Sequence, residues 1–369
     1  MVSNIDRVTE PDVDLTIPVH AASRPISRAV GSVVDHTACK VRVTVVAHNI
    51  ERAVIRANLG TYADHSRVRL LELHDGIRSP AGPMNHGLDN ATAPLVSVMG
   101  SDDELEPGAV DSWLALQRST GASAVLARIL IRGSGVDPYP PVRRGRRTTN
   151  LDARKDRLAY RSAPLGLVDR RRHSELRFTA GLASGEDLAY SASLWFTGRH
   201  IAYDLHGPAY VVNSDATDRV TFSSREVADD FRFLDAIEST PWFASLGSSR
   251  RIALGVKILR VHFFDAVLAR LESPESILAH RDGLCDVLDR IDRMAPGAFL
   301  LLARADRAVI DEVRRKAPDG EAIRVALGAR WNYRSASALL PRNPLRATHR
   351  QAPFRTLYAG LRARGAAQR

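Results

Sequence analysis

Cysteine is nearly missing from this chain of 369 residues: only Cys39 and Cys285 occur, far apart and in no spaced cluster. Two isolated thiols build neither a disulfide framework nor a zinc site, and they read as buried free thiols in a reducing compartment. Lysine is almost as scarce. Lys40, Lys155, Lys257 and Lys316 are the only lysines among 52 basic residues. No run of eighteen apolar residues occurs, so no membrane-spanning helix is expected. The opening stretch, Met1 to Asp14, is polar and acidic and lacks the apolar core of a signal peptide. Internal repeats and low-complexity tracts are absent as well. Nothing looks like a reading helix, an aromatic-rich RNA-binding strand or a zinc finger, so no nucleic-acid partner is expected despite a net charge of +10.

What is present is ordinary for a soluble globular protein, with 44% hydrophobic and 25% charged residues. The length suits one large domain with an appendage, or two domains. The positive charge is clustered. One cluster is Arg143-Arg144-Gly145-Arg146-Arg147 and a second is Arg170-Arg171-Arg172-His173. The third is the C-terminus, where Arg330, Arg334, Arg342, Arg346, Arg350, Arg355, Arg362, Arg364 and Arg369 occur with no Asp or Glu among them. Such a segment reads either as a solvated extension or as a surface for anionic lipid headgroups.

The densest chemical signal is Leu95-Val96-Ser97-Val98-Met99-Gly100-Ser101-Asp102-Asp103-Glu104. A short valine-containing apolar run reads as a buried strand, and it ends in paired carboxylates. Carboxylates there open onto the crevice where α/β sheets bind ligands. A divalent cation carried by a diphosphate would relieve their repulsion, because hard cations take oxygen ligands. The same residues also suit a helix start, with Ser101 as N-cap and the acids near the positive dipole end. A second acidic pair, Glu186-Asp187, follows Gly185 and carries the same two readings.

The ordered set of segments around these pairs resembles family-2 glycosyltransferases of the GT-A fold. Asp14 to His20, with Pro18 and His20 in its turn, stands for the first strand. Ile26 to Val34 stands for the first helix, Val41 to Asn49 for the second strand and Arg67 to Leu73 for the third. Gly82-Pro83-Met84-Asn85-His86-Gly87-Leu88 is similar to the Asn-x-Gly helix. Ser101-Asp102-Asp103 resembles the metal-binding acidic motif, and Gly185-Glu186-Asp187 the Gly-Glu-Asp motif. The likeness spans roughly residues 12–222. It departs on the side of the nucleobase: Ala47 and His48 replace the Asp pair of the second strand, His20 replaces an aromatic, and Met84 replaces an arginine. No histidine occurs in Asn213 to Thr221.

The resemblance implies an α/β, Rossmann-like nucleotide-diphospho-sugar transferase fold, a mixed central sheet flanked by helices. Residues 1–11 would be a flexible N-terminus, 12–222 the GT-A domain, 223–329 a helical extension with amphipathic periodicity, and 330–369 a basic C-terminal tail. It further implies an inverting transfer of a sugar from a nucleotide-diphosphate sugar to a hydroxyl of a glycan or lipid-linked acceptor, as in cell-surface glycan or glycolipid synthesis. Asp103, with Asp102, would hold a divalent metal, Mn2+ or Mg2+. Pro18, His20, His48, Arg78 and Asp102 would line the nucleotide sugar. Asp187 would be the general base with Glu186 beside it. Asp215 or Asp218 would supply a further metal ligand or merely form Asx turns, and Asn85 would tie loops together. The expected location is cytoplasmic, with peripheral contact at the inner face of the plasma membrane. The competing expectation is a non-catalytic GT-A-like domain acting as a nucleotide-sugar-binding or scaffold protein. A nucleotidyltransferase would need a Gly-rich N-terminal signature that Pro18-Val19-His20-Ala21-Ala22 does not provide.

Overall fold

Strands that are apolar on both faces must be covered on both faces. In the computed structural model, which describes residues 10–182, 184–213, 225–271 and 274–368, this is what happens. Val13, Leu15, Ile17 and Val19 of β1 (Val13–Val19) are fully buried, as are Val43 and Val45 of β2 (Val41–His48). Between and after them come α1 (Ile26–Val34), α2 (Arg52–Leu59), β3 (Val68–Leu73), α3 (Ala81–Asp89) and β4 (Leu95–Val98). Then follow β5 (Glu104–Leu105), α4 (Ala109–Thr120), β6 (Ala124–Ala127), β7 (Ile129–Ile131) and β8 (Gly135–Val136). A long excursion leads to β9 (Gly166–Asp169), α5 (Leu188–Thr197), β10 (Ala202–Asp204) and β11 (Tyr210–Val212).

Seven strands form the main sheet in the order β10-β6-β9-β4-β1-β2-β3. β9 alone runs antiparallel to its neighbours β4 and β6. A four-stranded sheet, β5-β11-β7-β8, stands beside it. One face of the main sheet packs on α1, α2 and α4, with Trp113 fully buried there. The other face packs on α3, α5 and the helices that follow. The expected alternation of strand and helix is therefore observed. The acidic run does not start a helix, however. The chain turns through Ser101 and Asp102 into β5, and α4 begins only after Gly108, whose φ of +80° suits glycine.

The second half is helical, as its periodicity suggested. It contains α6 (Val227–Asp230), α7 (Phe233–Glu238), α8 (Pro241–Ala244), α9 (Ser248–Ile258), α10 (Phe264–Leu268), α11 (Pro274–Ala279), α12 (Arg281–Met294) and α13 (Arg304–Val313). Helices continue past residue 330, where a basic tail was expected. After α14 (Gly320–Arg330) and α15 (Ala336–Leu339), α16 (Pro353–Ala367) returns to the first half of the chain. The solvated-extension reading of this segment is thus corrected. Its buried face is alanine and glycine, including Ala359, Gly360, Ala363, Ala366 and Ala367, so hydrophobic periodicity in the sequence is faint. Gly360 lies against Pro138 and Pro141.

What holds α16 in place is a buried arginine. The Arg157 guanidinium, 4% exposed, donates to the carbonyls of Arg350, Pro141 and Arg355. Arg128 donates to the Ala367 carbonyl at 2.9 Å, and Gln351 to the Arg154 carbonyl at 2.9 Å. Arg157→Met keeps the volume but leaves buried carbonyls unpaired. Each such group costs about 1–3 kcal/mol. The variant is expected to lose several-fold protection of α16 from limited proteolysis, with cleavage between residues 340 and 356. Wild-type resistance would show that packing alone docks the helix.

Candidate functional site

β4 delivers the acidic motif to the edge of the sheet. It pairs with β1 through Thr16↔Val98, and the Met99 N–H donates to the Thr16 carbonyl at 2.9 Å. Pro18 lies beyond that pairing, so its missing N–H removes no bond to β4. At the strand end Asp102 Oδ1 and Asp103 Oδ2 converge on Gly100. A β-carbon there would stand 3.1 and 2.6 Å from them.

Each acid is met by a designated partner. Arg24 pairs with Asp102 Oδ2 at 2.8 Å, both side chains being about nine-tenths buried. Arg28, in the first turn of α1, donates to the Asp102 carbonyl at 2.6 Å and meets Glu104 at 3.1 Å. From β11, the Tyr210 hydroxyl donates to Asp103 Oδ2 at 2.6 Å and accepts the Gly100 N–H at 2.9 Å. Burial, and then the charge of Asp103, push the Tyr210 phenol well above its ordinary value, so it remains a donor. The Asn213 N–H reaches Asp103 Oδ1 at 3.2 Å, and its amide reaches the Asp102 carbonyl and Glu104 at 2.8 and 2.9 Å.

The donor chemistry fits a hard cation. Two adjacent carboxylates converge on a space that Gly100 keeps open, and hard cations take carboxylate oxygens. Among the described residues no group of three or more His, Cys, Asp or Glu forms a cage. Asp215 and Asp218 lie outside the described residues.

A second cluster gathers at the ends of β2 and β3. His48, buried, bonds Asp75 Oδ1 through Nε2 at 2.8 Å. Asn49 donates to the same oxygen at 3.2 Å and to the Ile77 carbonyl at 3.2 Å. Burial raises the Asp75 carboxyl, but hydrogen bonds from the Ile77 N–H, His48 and Asn49 outweigh it and hold it below its ordinary value. Asp75 Oδ2 points at Gly82, where a β-carbon would stand only 2.5 Å away. The loop after β3 thus sets a carboxylate, Asp75, against His48 at the end of β2. His20 is exposed at the end of β1. Arg78 is exposed in the loop before α3, and among the described residues its side chain makes no hydrogen bond or ion pair.

The third cluster surrounds Asp187. Gly185, at φ +77°, turns the chain where a β-carbon would touch Phe233 at 3.1 Å. Asp187 then stands at the N-cap of α5, yet its carboxylate makes no capping bond. It therefore stands at the positive dipole end of α5 without bonding the helix's free N–H groups. Burial, then the charge of Glu186, push the Asp187 carboxyl up to about 7, with Lys257 opposing. Burial also raises Glu186. Lys257 of α9 is 2% exposed and burial lowers it to about 8. Its Nζ lies 2.6 Å from Nε2 of His262, which burial and then Lys257 hold well below its ordinary value, and so neutral. Asn85 does tie loops: it exchanges bonds of 2.9 and 2.8 Å with the backbone of Phe178. The backbone N–H of the next residue, Thr179, donates to the Glu186 carbonyl.

Sequence reasoning missed Arg24, Arg28, Asp75, Tyr210, Asn213 and Lys257. Arg24 stands in the bend before α1 and Arg28 in its first turn, so no helical spacing links the two in the sequence. Tyr210 and Asn213 sit more than a hundred residues from the motif they serve, and nothing local marks them.

Residues 14–176 match the family model described as Glycosyl transferase family 2. No curated protein sequence matches the chain. Among solved structures the chain is similar to S. aureus TarS 1–349 in complex with UDP-GlcNAc, with a TM-score of 0.70 at 14% identity over 86% of this chain and 91% of that one. TarS 1–349 with UDP gives 0.64 at 15% identity, over 86% and 90%. Against S. aureus TarS the TM-score is also 0.64 at 15% identity, but 86% of this chain covers 55% of that one. At these identities the likeness is one of fold, and the fold is GT-A.

Gly100→Ala tests the geometry of the acidic motif. The added methyl would force Asp103 Oδ2 away from its position 2.6 Å off. The variant is expected to fold but to lose the Mn2+-dependent thermal stabilisation by UDP. An unchanged shift would show that the carboxylates do not need to converge.

Proposed function

We propose, from the glycosyl transferase family 2 domain that residues 14–176 form, that this glycosyltransferase moves a sugar from a nucleotide-diphosphate sugar to a hydroxyl acceptor with inversion. The observation that carries the reading is the convergence of Asp102 and Asp103 over Gly100 at the end of a buried strand. Donor binding would fall to this edge. Asp103 and Asp102 would hold Mn2+ or Mg2+, and the metal would neutralise the departing diphosphate. Pro18, His20, His48 and Arg78 would line the nucleotide, with Asp75 fixing His48 as a base contact. S. aureus TarS 1–349 was solved with UDP-GlcNAc and with UDP, which supports a uridine donor as the first to try.

Asp187 would take the proton of the acceptor hydroxyl. A base works best when its pKa lies near the working pH, and burial beside Glu186 brings this carboxyl to about 7. Lys257, buried on the adjoining helix, opposes that rise and limits it. The acceptor is read as a glycan or a lipid-linked sugar of the cell surface, reached from the cytoplasmic side. No helix among the described residues is long and apolar enough to cross a membrane; the contact with the inner membrane face is read as peripheral, through the arginine-rich C-terminal segment.

Asp187→Asn is expected to lower turnover about 10²–10⁴-fold while the thermal shift with UDP and Mn2+ survives. Asp103→Asn is expected to lose that shift as well. Turnover near wild type in Asp187→Asn, scored by released nucleoside diphosphate, would remove the base assignment. The rate should also fall as pH drops below about 7, because the base must be ionised. Stability should move the other way. The folded carboxyl titrates near 7 against an ordinary 3.8, so between those values the unfolded chain holds fewer protons. Stability then declines as pH rises, and a flatter profile is expected for Asp187→Asn in denaturant titrations at pH 5 and 8.

A further inference from the structure

A groove of about 870 Å³ lies between the loop after β8 and the C-terminal helix α16. None of its lining residues belongs to the acidic motif or the Asp187 cluster. Arg144, Arg146 and Arg147 come from the loop, and Arg350, Arg355 and Arg362 from the helix and its approach. Arg143 and Arg157 lie beneath. Among the described lining residues there is no carboxylate. The buried acid Asp156 is already held by the lining residue Arg143 through two bonds of 2.7 Å.

Like charges crowded this way repel. Burial, then the neighbouring arginines Arg350, Arg260 and Arg355, pull Arg157 down to about 10 even though Tyr160 opposes them. Arg350 is lowered as well. Arg147 Nε is buried without a hydrogen-bond partner. The groove also has an aromatic wall. Phe354 and Tyr358 are 49% and 51% exposed, with rings 6.3 Å apart and nearly parallel. Arg362 lies over the Tyr358 ring at 5.7 Å. Guanidinium forks match phosphate oxygens, and exposed aromatic faces take sugar rings.

We propose that this groove binds phosphate groups of the acceptor, gripping them through Arg146, Arg350, Arg355 and Arg362 while an adjoining sugar ring stacks on Phe354 and Tyr358. This rests on the glycosyltransferase reading above. The link to the acceptor is structural. The excursion that carries the arginine loop continues into the turn Leu158–Tyr160, which packs against α5. The next carbonyl, that of Arg161, accepts from Trp195 of α5 at 2.9 Å. Asp187 is the N-cap of α5. The groove is thus built on the scaffold of the base and not on that of the nucleotide.

The test uses the full chain and inorganic tripolyphosphate in EDTA, where metal-dependent nucleotide binding is switched off. Arg146, Arg355 and Arg362 are exposed, so the triple variant Arg146→Ala/Arg355→Ala/Arg362→Ala should fold. It is expected to bind tripolyphosphate at least tenfold more weakly than wild type, with binding that weakens as salt rises. The shift with UDP and Mn2+ should be equal in both proteins. Equal tripolyphosphate binding by both would overturn the proposal. Failure of the donor reading would appear separately, as a wild type that binds tripolyphosphate but shows no UDP shift. Sedimentation with phosphatidylglycerol vesicles separates the sources of phosphate. Wild type left in the supernatant supports a soluble phosphate-bearing acceptor. Pelleting that tripolyphosphate releases supports a lipid-borne phosphate in the same groove. Pelleting that is lost in the triple variant yet resists tripolyphosphate would make the groove a membrane contact and overturn its assignment to the acceptor.

Discussion

Three consecutive acids at the end of a buried strand cannot be left to repel one another in a partly dry setting. The architecture around Asp102, Asp103 and Glu104 follows from that constraint. Arg24 and Arg28 bring α1 to the motif. Tyr210 and Asn213 bring β11, and Arg132 of the loop after β7 bonds both Asn213 and Glu104. The small sheet is therefore fastened to the large one through the acids themselves. Arg24 and Arg28 occupy the cation's side of the ledger of charge before any metal arrives, and a bound cation would share Asp102 with Arg24.

Arginine serves two opposite purposes in this chain. Where its fork meets carbonyls it is mortar: Arg157, Arg161 and Arg170 each join segments that are distant in sequence. Lysine would not replace it there, because a point charge cannot span two carbonyls in a plane. Where arginines face one another without acids, as along the groove beside α16, they form a charged surface. One sequence feature, the skew from lysine to arginine, thus splits into structural and binding roles that only burial separates.

The Asp187 region shows how burial sets chemistry. Its carboxylate stands at a helix start but does not cap it. It sits between Glu186, which raises it, and Lys257, which lowers it. Lys257 precedes, and His262 lies within, a π-helical turn, Leu259–Phe263, between α9 and α10, and such turns concentrate at functional sites. The helical half of the chain therefore adds charge to the site as well as covering the sheet.

The alternation of strands and helices through β4, the buried strand running into Asp102 and Asp103, and a helix start at Gly185-Glu186-Asp187 were legible from the sequence, because each depends on neighbours within a few residues. Apolar periodicity marks a strand, and a glycine before acids marks a helix start. The sequence did not disclose that Asp75 would stand against His48, since that depends on the parallel register His48↔Leu73. Nor did it disclose that Arg24 and Tyr210 would converge on one motif, or that the arginine-rich end would fold into α16. That helix buries alanine and glycine, which leave almost no amphipathic trace, and it is held by an arginine nearly two hundred residues away. Local composition determined which elements form and where the acids lie along the chain. Only tertiary packing decided which charges meet, because a charge takes its partner from space and not from sequence.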